Sequence, residues 1–433
     1  MNRLLSVLLG AVIAAAFLGP GTVTTAARSG ADHAYELLWA LVFATGACLV
    51  LQEASARLTI ASGRNLGEAL RWRFRSGWSG VAMVWLALSA IVLGCAAYQA
   101  GNILGGVAGL RLLGDLPGSW LTLACAAAAG LLLWFGSTRQ VAAVLGLLVA
   151  VMGTGFLVTA ILLRPPIGEV LAGLTVPRIP AGSGLLVLGL VGTTVVPYNL
   201  FLGSGLARGQ DLRAARFGLA VAIVLGGVIS MAVVIVGAAV AGELSFAEVA
   251  RVLSGQLGAW AAPLFAAGLF AAGFSSAITA PLAAAVTARS LLGEGPEDRR
   301  WSDGSWRYRA VWLGVLATGA IFGLADVQPV PVILLAQALN GTLLPVAAVF
   351  LLVVMNDRRL LGDAVNRLAA NLVTAAVVAV TVVLGVRGVL AAVRSASGWE
   401  ALGREPVVLG AGVVTAAVVG VVAVRAIVRT GTR

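Results

Sequence analysis

The sequence predicts an all-α polytopic membrane protein of about twelve transmembrane helices, and three observations carry that prediction. Hydrophobic residues make up 60% of the 433-residue chain and charged residues 11%, against roughly 25% charged in a soluble globular domain. Apolar runs of about 20 residues, the length needed to cross hydrocarbon, recur from one end to the other. The first and sixth of these runs are interrupted by proline and glycine at mid-run.

The first interruption reads Phe17-Leu18-Gly19-Pro20-Gly21-Thr22-Val23-Thr24-Thr25. Pro20 has no N–H, its ring clashes with the preceding turn, and the flanking glycines favour unwound backbone, so the helix breaks there. In hydrocarbon a break is tolerated only where protein or a wet cavity meets the freed backbone groups, which marks a binding cavity. The second interruption reads Gly192-Thr193-Thr194-Val195-Val196-Pro197-Tyr198-Asn199. Broken spans at corresponding places in two halves of a chain point to a transporter substrate site.

In order, the apolar runs cover about 4–27, 36–61, 79–108, 119–136, 141–163 and 184–206, then 213–241, 257–288, 309–324, 330–355, 367–393 and 406–428. Arg64, Arg71, Arg73 and Arg75 follow the second run, and Arg208, Arg213 and Arg216 follow the sixth. Arg289, Arg299, Arg300, Arg307 and Arg309 follow the eighth, and Arg358, Arg359 and Arg367 the tenth. The alternate loops carry acids such as Asp32, Asp115, Glu169, Glu243, Glu248 and Asp326. By the positive-inside rule, this is an integral plasma (inner) membrane protein with both termini cytoplasmic. Arg3 at one end and Arg425, Arg429 and Arg433 at the other agree with an even span count. The first run passes into the break without a polar cleavage region, so it reads as a span and not as a signal peptide.

Net charge of +11 would suggest nucleic acid in a soluble chain, but here the basic residues sit in short loops between apolar runs. All 29 basic residues are Arg, and a chain without lysine has no Walker-type phosphate loop. Cys48, Cys95 and Cys125 fall inside apolar runs and read as small buried hydrophobes. His33, the single histidine, lies at a loop, and no close pair of intramembrane carboxylates is visible, so an enzyme is not expected. The partners implied are the lipid bilayer and a small-molecule or ion cargo, with no cofactor and no nucleic acid.

Several motifs together resemble one family. The first break, followed by Leu37-Leu38-Trp39 and Ile60-Ala61-Ser62-Gly63-Arg64-Asn65-Leu66, resembles the first two spans of the Nramp divalent-metal transporters. Gly192 to Tyr198 is similar to that family's sixth span, Ser275 to Thr279 to its eighth, and Asn356 to Gly362 to the loop after its tenth. The resemblance runs from Met1 to about Arg394. It implies the LeuT-type fold, an inverted repeat of five plus five spans that works by alternating access around a fixed site. The first repeat is then about 1–163, the second about 184–355, span eleven about 367–393, and 394–433 an added C-terminal span and tail.

The departures from the family point elsewhere. Its first break reads Asp-Pro-Gly-Asn, whose Asp and Asn hold metal, and here those positions are Gly19 and Thr22. Thr193 and Val196 match the sixth-span backbone carbonyl and methionine of the family's metal site, and Tyr198 stands for its histidine. The family's third-span carboxylates appear as the amides Gln99 and Asn102, its eighth-span Gln as Phe274, and its tenth-span Gln survives as Gln337. A dehydrated divalent ion in a low-dielectric cavity needs carboxylate or soft ligands, which these positions do not supply.

Gly19, Pro20, Gly21, Thr22, Thr193, Thr194, Val196, Tyr198, Asn199, Gln337 and Asn340 are therefore the candidate substrate-binding residues. Their hydroxyls and amides suit a small polar or zwitterionic solute, carried without the family's proton relay, and helix N–H groups freed at the glycine-rich break favour a carboxylate. The alternatives are a divalent cation, either Mg²⁺ kept largely hydrated or Mn²⁺ and Fe²⁺ as in the family, and a non-transporting sensor or scaffold. Glu53 and Arg57 lie four apart in the second run, as a structural ion pair or a coupling group. Gln99 and Asn102, like Ser275, Ser276 and Thr279, serve either as interhelical hydrogen-bond glue or in the pathway. Trp72, Trp78, Trp120, Trp301 and Trp306 fall near span ends and are expected as interfacial anchors.

Overall fold

A computed structural model describes residues 19–74, 77–135, 138–295, 298–397, 410–417 and 420–421. All regular structure among them is helical. In the first half, α1 (Pro20–His33) starts at the proline break, and α2 (Leu38–Ser62) ends where Gly63 adopts φ 69° and returns its N–H to the Thr59 carbonyl. The short α3 (Leu66–Arg73) is fixed by a capping box between Asn65 and Glu68. Then come α4 (Gly77–Arg111), α5 (Gly118–Phe135), α6 (Thr138–Leu162) and α7 (Ile167–Thr175).

The second half opens on the interrupted pair α8 (Gly184–Thr194) and α9 (Pro197–Leu206). It continues with α10 (Leu212–Ala238), α11 (Phe246–Leu257), α12 (Ala261–Leu292) and α13 (Trp306–Leu324), of which α11 and α13 start from serine N-caps. It then runs through α14 (Pro329–Val354), α15 (Arg358–Leu361) and α16 (Leu368–Ser397).

Eight spans among the described residues are long and apolar enough to cross a membrane, α8 and α9 together counting as one. The expectation was about twelve, and the difference falls partly on residues outside the described ones and partly on composition. Residues 4–18 and most of the last run lie outside the described residues, so the halves of span one preceding Gly19 and of the added C-terminal span are not compared. The apolar described part of α6 is only Val149–Leu162, and α13 opens on Trp306-Arg307-Tyr308-Arg309, which lowers its hydropathy.

Small residues let the helices meet at backbone distance. A Cβ on Gly273 of α12 would stand 2.5 Å from the Gly106 nitrogen of α4, and one on Gly109 would stand 2.6 Å from the Phe270 nitrogen. The three cysteines are buried and unbonded, as expected of small hydrophobes. Trp78, Trp120 and Trp306 are 92%, 71% and 77% exposed and fit the anchor reading. Trp301 does not: it is buried, packed under α12.

Side-chain contacts bring the Arg-rich loops to one face. Arg208 reaches Glu68 at 2.5 Å, Arg73 reaches Asp357 at 3.2 Å, and Arg216 reaches Glu53 at 2.6 Å. Loops far apart in sequence are thereby joined. Elsewhere Arg111 pairs with Asp326 at 3.1 Å, joining the ends of α4 and α13.

Candidate substrate site at the two helix breaks

Both interruptions fold as the proline and glycine content dictates. Gly19 is extended (φ −87°, ψ 176°) and caps α1, with Pro20 in the first helical position. At the second break the Val195 N–H closes α8 on the Val191 carbonyl at 2.8 Å, Val196 is extended (φ −79°, ψ 122°), and Pro197 restarts the helix. Two helix N-termini and one helix C-terminus thus end inside the protein, each leaving backbone groups outside the helical ladder. Neither N-terminal cap, Gly19 or Val196, has a side-chain hydrogen bond.

Side chains then close the breaks on each other. Thr22 Oγ1 lies 2.9 Å from Thr193 Oγ1, joining α1 to the end of α8. The Gln337 carboxamide of α14 lies directly over Gly21, where a Cβ would stand 2.5 Å from its Cδ. Ser276 Oγ of α12 faces Gly19, at 3.2 Å from the place of a Cβ, and the Pro20 ring lies against Gly105 of α4. The first break is therefore boxed in by α4, α8, α12 and α14.

Thr22, Thr193, Thr194, Val196, Tyr198, Asn199, Gln337 and Asn340 are each 3% exposed or less. Thr194 Oγ1, Asn199 Oδ1, Gln337 Oε1, Asn340 Oδ1 and Ser276 Oγ have no hydrogen-bond partner among the described residues. A buried polar atom left alone costs about 1–3 kcal/mol, so this concentration marks a place built for a polar guest. Its chemistry is neutral. Among the described residues no three His, Cys, Asp or Glu side chains stand close enough to share an ion. Of the positions equivalent to the family's metal ligands, Gly19 and Val196 offer only backbone, and the hydroxyls of Thr22 and Thr193 are engaged with each other.

Other predicted residues sit elsewhere. Asn340 turns toward α4, donating from Nδ2 to the Gly94 carbonyl at 3.4 Å and to the Ala336 carbonyl at 3.0 Å. Gln99 Nε2 donates to the Ala277 carbonyl at 3.1 Å and Asn102 Nδ2 to Gln99 Oε1 at 3.4 Å, which makes the pair a tie between α4 and α12. Ser275 and Thr279 bond back to carbonyls of their own helix. Glu53 and Arg57 do pair, at 3.2 Å, on the Arg-rich face.

One residue of the site was not anticipated. Tyr98 of α4 donates its hydroxyl to the Gly192 carbonyl at 3.3 Å and meets Tyr198 edge to face at 5.6 Å between ring centres. It occupies a carbonyl freed near the end of α8. Its position four residues before Asn102, on the same helical face, was the available signal.

Comparison with known proteins agrees with this architecture. Two curated relatives named divalent metal cation transporter MntH are each 30% identical: that of Deinococcus radiodurans over 393 residues, 85% of both chains, and that of Verminephrobacter eiseniae over 396 residues, 86% of this chain and 87% of the other. A crystal structure of the Eremococcus coleocola manganese transporter superposes with a TM-score of 0.73 at 18% identity, covering 99% of this chain and 94% of that one. Mhp1, a nucleobase-cation-symport-1 family transporter, superposes with a TM-score of 0.58 at 18% identity, covering 98% of this chain and 92% of that one. The fold is therefore the LeuT-type arrangement with discontinuous first and sixth spans. Residues 10–391 match the natural resistance-associated macrophage protein-like family, and this membrane transporter, broken where that family is broken, is a member of the Nramp family.

Proposed function

We propose that this Nramp protein carries a divalent cation by alternating access, and that the cation travels with most of its hydration shell. The observation that supports this reading is the neutral polar cluster at two helix breaks in a chain whose relatives are named divalent metal cation transporters. A bare divalent ion would need charge or sulfur to offset its dehydration, and the cluster holds neither. Mg²⁺ dehydrates reluctantly and keeps several waters, so hydroxyl and amide oxygens suffice to hold it through them. Gln337 Oε1 and Asn199 Oδ1 are acceptors for polarised metal-bound water, and Thr22, Thr193, Thr194 and Tyr198 complete the ring. Pro20 and Gly21 keep the first break unwound, Val196 keeps the second, and Asn340 sets the spacing of α14 from α4. With Gln99 and Asn102 neutral and committed to helix packing, no proton relay runs through the third span. The Arg-rich face is cytoplasmic, with both termini on that side.

The absence of formal charge favours a second reading, a small polar or zwitterionic solute whose carboxylate meets the N-termini of α1 and α9. This was the leading expectation from sequence; membership in a family with cation-carrying relatives moves the cation ahead of it.

The test is uptake into liposomes of purified protein, offered Mg²⁺, Mn²⁺ and an amino-acid panel, with lumenal pH followed. Saturable Mg²⁺ uptake without acidification is expected. Amino-acid uptake without cation flux would establish the second reading instead. Mn²⁺ uptake coupled to acidification would restore the family's ordinary chemistry. Neither flux nor binding would leave a sensor or scaffold.

A further inference from the structure

A cavity of about 380 Å³ lies on the Arg-rich face and shares no residue with the helix breaks. It is walled by α3, the end of α9, the end of α12, and Gly295, Trp301 and Ser302. One side is apolar, made by Leu202, Val286 and the buried Trp301. The other carries Glu68, Arg71, Arg208 and Arg289.

Among the described residues lining the cavity, charge bookkeeping leaves one cation over. Glu68 accepts from Arg208 at 2.5 Å and from the Asn65 N–H at 3.0 Å. Asp303 holds Arg289 at 2.6 Å, and Arg300 holds both Glu294 at 2.8 Å and Asp298 at 3.0 Å. Every carboxylate in reach among the described residues is thus taken. Arg71 makes no hydrogen bond or ion pair with any described residue, although Glu68, Asp298 and Glu294 act on it from a distance. Burial pushes its guanidinium below the ordinary arginine value, while leaving it charged at any physiological pH. A half-buried guanidinium with no partner is completed by an anion, and its planar fork fits the oxygens of phosphate. The apolar wall asks that this anion carry a hydrophobic body. The exposed Trp78 and Trp306, at the starts of α4 and α13 on this side, mark the level of the bilayer interface.

We propose that this cavity binds a phosphate group borne on an apolar body, with Arg71 as its anchor and Arg208 and Arg289 as its positive rim. Two sources offer that chemistry, an anionic phospholipid headgroup and a soluble phosphate ester.

The experiment uses the full-length protein in nanodiscs of phosphatidylcholine with and without phosphatidylglycerol, reading thermal stability and, by native mass spectrometry, retained lipid. A parallel arm in detergent adds inorganic phosphate alone. Phosphatidylglycerol is expected to raise the melting temperature, and Arg71→Gln to weaken its retention about tenfold, the loss of roughly one charge-assisted hydrogen bond. Arg71→Lys, which keeps a point charge and guards against misfolding, retains part of the response. Arg64→Gln, whose guanidinium lies over Trp72 and outside the cavity lining, retains all of it. A response to inorganic phosphate as large as that to lipid identifies the soluble source. An undiminished response in Arg71→Gln, or no response of the unaltered protein to either probe, overturns the proposal.

Discussion

Thr22 Oγ1 and Thr193 Oγ1 stand 2.9 Å apart, and this contact is where the two discontinuous spans touch through their side chains. Residues 171 positions apart are thereby held together beside the breaks of both spans. Valine is nearly isosteric with threonine but lacks the hydroxyl, so Thr193→Val removes the hydroxyl and keeps the packing. Each single substitution is expected to cut transport several-fold and to cost about 0.5–1.5 kcal/mol of stability. The double substitution Thr22→Val/Thr193→Val should cost less than the sum. A double-mutant cycle on thermal unfolding checks this, and strict additivity would show that the two hydroxyls act independently.

Gly21 and Gly192 look alike in sequence and differ in what stands over them. A Cβ at Gly21 meets the mobile end of Gln337, whereas one at Gly192 meets the Gln337 carbonyl and the Gly341 backbone, which cannot swing aside. Gly21→Ala should therefore weaken cargo binding with little loss of stability. Gly192→Ala should lower the melting temperature by separating α8 from α14, an overpacking cost of about 1–3 kcal/mol. If Gly21→Ala adds nothing on top of Gln337→Ala, its effect passes through that carboxamide. Equal stability losses for the two glycines would refute the distinction.

Both breaks were legible because proline and glycine act locally: Pro20 and Pro197 occupy the first helical positions that their chemistry requires. Thr22 and Thr193 were legible because the breaks located them, and Gln337 because it stands at the tenth-span Gln of the family resemblance. The direction of Asn340 was not, since which neighbour an amide meets depends on how α14 crosses α4. Helices that are apolar nearly all round give no amphipathic stripe from which to read a facing partner. Tyr98 escaped notice for that reason, and so did the cavity around Arg71, whose walls come from four separate stretches of chain.

Tyr98 links α4 to the end of α8 through one hydroxyl, and its ring supports Tyr198 whether or not that hydroxyl is present. Tyr98→Phe keeps the edge-to-face contact and frees the Gly192 carbonyl. The expected outcome is a rise in KM of a fewfold with the maximal rate little changed, because the end of α8 loses its tether while the aromatic wall stays. Tyr98→Ala removes both, and a loss of about 3 kcal/mol or more is expected from the deleted buried ring. Uptake kinetics and thermal unfolding separate the two substitutions. A maximal rate that collapses in Tyr98→Phe with KM unchanged would instead give the hydroxyl a part in the conformational cycle.

Glu53 was open to two readings, and its contacts favour the structural one. Its carboxylate accepts from Arg57 Nε at 3.2 Å and from Arg216 Nη2 at 2.6 Å, tying α2 to the start of α10. Arg57 in turn donates to the Ala364 carbonyl at 2.8 Å and to Asn366 Oδ1 at 2.6 Å, and Asn366 continues to Asn371 at 3.0 Å. The side chains of Arg57, Glu53 and Arg216 are 13%, 27% and 51% exposed, so water screens the Glu53–Arg216 bond more than the Arg57 bonds. Glu53→Gln keeps an acceptor and loses the charge, and should cost on the order of 1 kcal/mol or less. Arg57→Ala removes the bonds to Glu53, Ala364 and Asn366 together and should cost about twice that. The pH profile of uptake should be the same in Glu53→Gln as in the unaltered protein, since a brace takes no part in moving protons. A profile that flattens or shifts in Glu53→Gln would make this carboxylate a coupling group.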